Sequence, residues 1–509
     1  MRILKLMSGA AAFAIAISGA ATLAMAAAGD ECVKVLGYEW SGEKQSMDPA
    51  DMESGDDAYH IFTVYNRLVD VDDNFKVLPE LATEWSVSAD GLTWTFKLRE
   101  GVKFHSGKDF TSADVVYTFK RMLDEKLGSG ARAVLEFLDA DGIKAPDPHT
   151  VTFTTKKPVV ELPVLITNKF TNIVPDGAKH EDLRLHEDGT GPFMQEAFTP
   201  NAPVRIFKKN PNYWDAGKPK ADCIRVTVAQ EAVAAVSALK AGQVDLMLNV
   251  DPSVISTLKD DPSVKLLETA ASNSMTISFW VDTKPFDNVK VREALKLVVD
   301  RQAMIDTVLL GFGEPGADNP VPVGNPNSYT KEAPKQDIEK AKALLAEAGY
   351  KDGLKFDLYT AEGVPGMVRM AQVYAEQAKA AGIDINVIVT PAESFWDDVW
   401  LKQPAVTSAW SMRPPGEGLA VAYTQSAKWK ETHWERPDYD ALLLKANTTV
   451  DDAERRKLFQ QTGELLAKEG GLVLPMFVHQ VLALRKGCEG YTPRAQNFNL
   501  SFEDLSCSK

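Results

Sequence analysis

The chain of 509 residues is 45% hydrophobic and 25% charged, and 71 acidic residues against 56 basic ones give it a net charge of −15. That acidity argues against nucleic acid and anionic lipid surfaces as partners. The length is that of roughly two to four domains, and the apolar content is ordinary for globular protein.

In chain order, Arg2 and Lys5 precede an alanine-rich apolar run over residues 10–24. Small residues follow, and both Ala24-Met25-Ala26 and Ala26-Ala27-Ala28 fit an A-x-A cleavage site. Residues 1–28 read as a secretory signal peptide whose apolar core is too short to anchor in a bilayer. Cys32 follows Gly29-Asp30-Glu31, which is not the small apolar box of a lipid anchor. The expectation is a protein released into a periplasm. Four cysteines in an exported chain, Cys32, Cys223, Cys488 and Cys507, imply disulfides, with three pairings open. No CxxC occurs and no histidine neighbours a cysteine, which argues against metal ligation.

Further on, Trp94, Phe96 and Leu98 alternate with polar residues, the pattern of a half-buried strand. Gly101 and Gly107 punctuate the return. Thr111 and Asp114 read as the cap of a helix whose apolar stripe is Val115, Phe119 and Met122. The second half alternates helix and strand. Ile338, Ala341, Leu345 and Ala348 make a helical stripe ended by Gly349, and Phe356 and Leu358 mark a strand. Residues 370–381 read as a helix stopped by Gly382, and Ile383, Ile385, Val387 and Val389 alternate as the next strand. Such alternation predicts an α/β lobe.

No catalytic signature stands out: G-x-S-x-G, H-E-x-x-H and the phosphate-cradling G-x-x-x-x-G-K are all missing, and the seven histidines are scattered. Five of the ten tryptophans fall in residues 393–436: Trp396, Trp400, Trp410, Trp429 and Trp434. Aromatic faces suit stacking against peptide planes, sugars or cations, although large aromatics also dominate cores.

Seven blocks occur in a telling order: residues 79–123 as a whole, GTGPF at 189–193, NPNYWDAGKP at 210–219, AGQVDL at 241–246, PFDNVKVREAL at 285–295, AKALLAEAGY at 341–350 and GLVLPMF at 471–477. Together they resemble the extracellular solute-binding proteins, family 5, of the dipeptide, oligopeptide and nickel ABC importers. The resemblance implies a three-lobed periplasmic-binding-protein type II-like fold, with two α/β lobes joined by a hinge and an extra inserted lobe. It implies lobe I at 29–60, 187–273 and 485–509, lobe II at 61–186 and lobe III at 274–484. It favours the pairs Cys32–Cys223 and Cys488–Cys507. The expected function is capture of a small solute, peptide-like, opine-like or saccharide, in an interlobe cleft. Delivery to a membrane permease driven by ATPase subunits would follow, with no cofactor, by a monomer. A secreted hydrolase using two cleft carboxylates is the alternative class, and a metal or haem receptor on the same fold is the third.

The resemblance also suggests site residues. An aromatic near Trp396 would line the cleft, and Trp410 would open a ligand-binding loop continuing through Ser411, Met412, Arg413 and Glu417. Tyr38, Trp40 and Ser46 stand where the family's lobe I segment enters the cleft. Arg369, preceding the helix 370–381, is near a position that holds a peptide carboxylate. The loop departs from the peptide-binding pattern, because Arg413 stands where those members keep an aspartate for the free α-amine. This reversal disfavours a buried ammonium and suits carboxylate, phosphate or hydroxyl groups. It points to opine-like conjugates, oligosaccharides or N-blocked peptides. The other reading is an Arg413 satisfied by a neighbouring acid, with Glu417 recognising the amine.

Overall fold

Two strands run far longer than the rest: Val264–Phe279, of 16 residues, and Leu472–Arg485, of 14. At about 3.3 Å per residue the longer one spans roughly 50 Å, more than a typical strand by a wide margin. The two pair antiparallel, with Val264 opposite Arg485 at one end and Ser278 opposite Leu472 at the other. The structure is a computed structural model, which describes residues 32–37, 45–52, 57–195, 198–200, 202–228, 231–495 and 500–508.

The long pair is the spine of an 11-stranded sheet. Beyond Leu472–Arg485 come Leu246–Met247, Val33–Gly37, Cys223–Val228, Val204–Lys209 and Phe193–Gln195. Beyond Val264–Phe279 come Ala405–Ser411, Leu354–Ala361 and Ile383–Thr390. The register of the long pair slips between Glu268 and Ala271, between Ala271 and Asn273, and between Met275 and Ile277. Apolar side chains on either side of these slips belong to different cores. Leu482 and Leu484 pack with Val35, Phe193 and Ile224, whereas Ile277, Phe279 and Met476 pack with Leu295, Leu358 and Tyr374. Alternation along one strand thus feeds two bodies of protein through a disrupted ladder, the arrangement of a hinge.

A third core lies apart, from Leu68 to Ile173, around a four-stranded antiparallel sheet. Trp94, Phe96 and Leu98 are its buried strand residues, as the alternation predicts. Thr111 and Asp114 form a reciprocal capping box on the helix Ser112–Leu123, whose Val115, Phe119 and Met122 are fully buried. The helix read as 370–381 instead begins at Met367, directly after Gly366 at φ +87°, and gives way at Lys379 to a 3-10 turn. Its buried stripe of Met367, Met370, Ala371, Tyr374 and Ala378 sets those limits, so Arg369 sits in the first turn rather than ahead of it.

The sequence blocks have local physical reasons. A side chain at Gly189 or Gly191 would run into the Val64 backbone, with a Cβ at Gly191 only 2.5 Å from the Val64 carbonyl carbon. Asp245 of AGQVDL accepts from the Lys34 N–H at 2.9 Å and from Arg485 Nε at 2.7 Å, locking three neighbouring strands together. Buried Arg292 of PFDNVKVREAL donates to the carbonyls of Glu469 and Phe286. Cys32 is bonded to Cys223, extending the parallel pairing of Val33 with Ile224. Cys488 is bonded to Cys507 directly opposite it in a two-stranded ladder. No helix among the described residues is long and apolar enough to cross a membrane.

Candidate functional site

A cleft of about 1190 Å³ opens where the long strands lose register. Its floor is Ser272, Asn273 and residues 478–481 of the two strands. One wall is the loop 249–253 with Ile255; the other comprises residues 308–312, the segment 362–372 and the strand end 409–411. The cleft therefore lies between the two bodies that the hinge joins.

Much of the second wall is apolar by construction. The helix Arg301–Val308 ends in a turn with Leu310 at φ +55° and Gly311 at φ +89°. A left-handed conformation costs a leucine about 1 kcal/mol, and here it leaves the side chain 45% exposed on the cleft. Phe312, Val364, Val368 and Val481 line the same space. Exposed Arg369 reaches this wall from the first turn of its helix and makes no ion pair among the described residues. Asp251 and Glu362 are the acidic liners.

Trp410 and Ser411 end the strand Ala405–Ser411, opposite Ser274 and Asn273, and both line the cleft. The Trp410 indole N–H donates to Glu431 Oε1 at 3.1 Å. Its ring lies 5.9 Å from that of Trp400 and 5.8 Å from that of Trp429. Trp434 is a core residue, 2% exposed. Trp396 is exposed, packs edge-on against Phe395 and Trp400, and is not a cleft liner.

Arg413 turns away from the cleft. Its Nη1 donates to Glu417 four residues on, and its guanidinium stands 6.0 Å from the centre of the Trp410 ring. Arg413, Met412 and the back of Trp410 border a separate void of about 20 Å³, room for one water. Neither Met412, Arg413 nor Glu417 lines the larger cleft. Ser46 is buried elsewhere: its carbonyl accepts from His60 Nε2 at 2.8 Å and its hydroxyl from the Asp48 N–H. Beside it, Asp48 takes a two-pronged bond from Arg121 and another from His180 Nδ1. Tyr38 and Trp40 lie outside the described residues.

The floor holds a histidine that sequence reasoning passed over. His479 Nδ1 is 3.0 Å from Glu268 on the neighbouring long strand, and Nε2 is 3.8 Å from Glu314. Burial pushes its pKa down, but the two carboxylates outweigh that and raise it. The liners Ser272, Asn273, Gln372 and Gln480 were also missed. They are single polar residues in two strands and a helix, with no spacing of their own to single them out. Asp245, Cys488 and Cys507 cluster within 4.8 Å, but the two sulfurs are bonded to each other.

Residues 76–431 match the profile of the bacterial extracellular solute-binding proteins, family 5. The chain is 30% identical to Di/tripeptide-binding protein 1 of Pseudomonas aeruginosa over 84% of this chain and 86% of that one. It is 31% identical to Heme-binding protein A of Haemophilus influenzae, over 78% of each. Among solved structures it is similar to AgaA of A. tumefacien R10 in complex with agropinic acid, with a TM-score of 0.70 and 26% identity over 93% of this chain and 99% of that one.

Proposed function

The chain belongs to the family 5 bacterial extracellular solute-binding proteins, the solute-binding components of ABC importers, and from that premise we propose that it captures a peptide-like or opine-like solute with an apolar body and a carboxylate. The carrying observation is Arg369, an exposed cation without an ion-pair partner among the described residues, on a wall whose apolar liners include Leu310, Phe312, Val364 and Val368. An arginine fork suits a carboxylate, and the apolar wall suits the rest of the solute. Trp410 and Ser411 complete the contact surface. Relatives named for di/tripeptides and for heme, and a structure holding agropinic acid, differ in cargo at similar identity, so the cleft's own chemistry must choose.

The pairing of Arg413 with Glu417 leaves this loop without a free acid for an ammonium. Asp251 and Glu362 are the acids left in the cleft for an ammonium, so N-blocked peptides and opine-type conjugates are set against free peptides in the test below. Our lobe division is 29–60, 187–273 and 485–509, then 61–186, then 274–484; the core from Leu68 to Ile173 and the core around Leu295, Leu358 and Tyr374 fit it, whereas Ile61, Val64, Tyr65, Val174, Leu183, Leu482 and Leu484 pack with the first lobe. The protein works in a periplasm after loss of residues 1–28, and it binds without making or breaking a bond. Closure follows because the solute touches both walls in the closed form only; equal affinity for both forms would shift nothing.

The test is a thermal-shift panel on protein unfolded and refolded to strip bound solute. Free dipeptides, N-acetyl dipeptides, opine-type conjugates and oligosaccharides are compared on wild type and on Arg369→Ala. Carboxylate-bearing peptides and conjugates should raise Tm in wild type and lose most of that effect in Arg369→Ala. Stabilisation by neutral oligosaccharides alone, or an undiminished effect in Arg369→Ala, contradicts the reading.

A further inference from the structure

Glu431 is fully buried, and no cationic side chain pairs with it among the described residues. Its hydrogen-bond partners are neutral donors. Oε2 accepts from Trp400 Nε1 at 3.2 Å, and Oε1 accepts from Trp410 Nε1 at 3.1 Å and from the Tyr423 hydroxyl at 3.3 Å. Burial pushes the carboxyl pKa up, against the indole N–H groups that favour the charged form, and the net shift is upward. Placing a carboxylate here is costly, so the position must do something a neutral residue does not.

The geometry says what. An indole N–H only donates, and two of them converge on one point from different rings. An amide or a hydroxyl offers one acceptor oxygen; a carboxylate offers two, one for each indole. The backbone that carries Glu431 is itself anchored, since the Val281 N–H donates to the Thr432 carbonyl at 2.9 Å. Of the two rings, Trp410 borders the cleft, flanked by Trp400 and Trp429 at interplanar angles of 60° and 57°.

We infer that Glu431 is a positioning residue for solute recognition: it pins the planes of Trp400 and Trp410 so that Trp410 presents a fixed aromatic face to the cleft, against which an apolar or planar part of the solute packs. The inference rests on reading the cleft as the solute site. A ring held in place beforehand loses little freedom on binding, which is how a buried group away from the solute raises affinity.

The experiment uses refolded protein labelled with ¹⁵N at tryptophan, with the two indole N–H resonances assigned through Trp400→Phe and Trp410→Phe. Affinity is measured calorimetrically with L-alanyl-L-phenylalanine and with its N-acetyl derivative. In Glu431→Gln both indole resonances move, and the probe that wild type binds loses about tenfold in affinity, the scale of one aromatic contact. In Trp434→Phe, which alters a buried tryptophan away from the cleft, the Trp410 resonance and the affinity stay put. An unmoved Trp410 resonance or an unchanged affinity in Glu431→Gln overturns the inference. If wild type binds neither probe, the solute reading fails, while the indole resonances still decide whether Glu431 holds Trp410. Should Glu431→Gln not refold, Tyr423→Phe removes the competing donor from the oxygen that holds Trp410; it shifts the Trp410 resonance and spares that of Trp400, and no shift overturns the inference.

Discussion

Arg413 shows how a single residue is misread from its neighbours in sequence. Its charge is answered by Glu417 one helical turn on, and Glu417 in turn faces Glu161, which arrives from a distant part of the chain. Glu161 is pushed up to about 7 by burial, with Arg455 pulling down and Glu417 pushing up. The cluster is thus two acids, Glu161 and Glu417, set against two arginines, Arg413 and Arg455. A folded-state pKa above the unfolded value means the folded state favours the protonated acid. Stability from this group is complete below the ordinary glutamate range and is lost as pH rises through about 7. Glu161→Gln, which keeps the neutral form at every pH, should therefore gain stability relative to wild type as pH climbs from 5 to about 8, read as a widening Tm difference. A difference that stays flat over that range would refute the assignment. Trp410, Ser411 and Arg369 were suggested by the family resemblance and do line the cleft, with Arg369 in the first turn of its helix rather than ahead of it. Glu431 and His479 were not, since Trp400, Trp410, Glu268 and Glu314, which meet them, lie far away in the chain.

Elements were easier to read than residues. The strand at 93–98, the capped helix Ser112–Leu123 and the α/β alternation of the second half follow from period and cap chemistry alone. The helix read from residue 370 starts at Met367, after a left-handed Gly366, while the stop read at Gly382 is there, at the end of the 3-10 turn Lys379–Ala381. The two long strands were invisible as such. Their polar midpoints, Thr269 to Ser274 and His479-Gln480, interrupt the apolar pattern just where one body hands over to the next. The GTGPF block has the sharpest physical content. Gly191 faces the Val64 carbonyl carbon at 2.5 Å from a would-be Cβ, and the Gly191 N–H donates to the Val64 carbonyl at 3.0 Å. Gly191→Ala has only backbone to push against, so it should cost about 2–4 kcal/mol in denaturant unfolding. A loss below about 0.5 kcal/mol would mean that the close approach relaxes freely.

At the scale of the molecule, one sheet serves two bodies, and the cleft sits where its ladder is broken. His479 bridges that break, with Glu268 and Glu314 on either side. The order of the blocks carried the family resemblance, and that resemblance implied the three-lobed fold and the transport class. The cargo was not legible, because one backbone accommodates different solutes through a handful of liners. The central claim is that the two walls close on a solute about the register break. All four cysteines are spent in disulfides, so introduced cysteines at Val233 and Glu376, one on the helix beside each wall, take spin labels selectively. The decisive measurement is the pulsed-EPR distance between those labels in refolded protein, with and without the most stabilising solute of the thermal-shift panel. The account predicts a distribution that shortens and narrows at saturation. A distribution unchanged at saturation would contradict it.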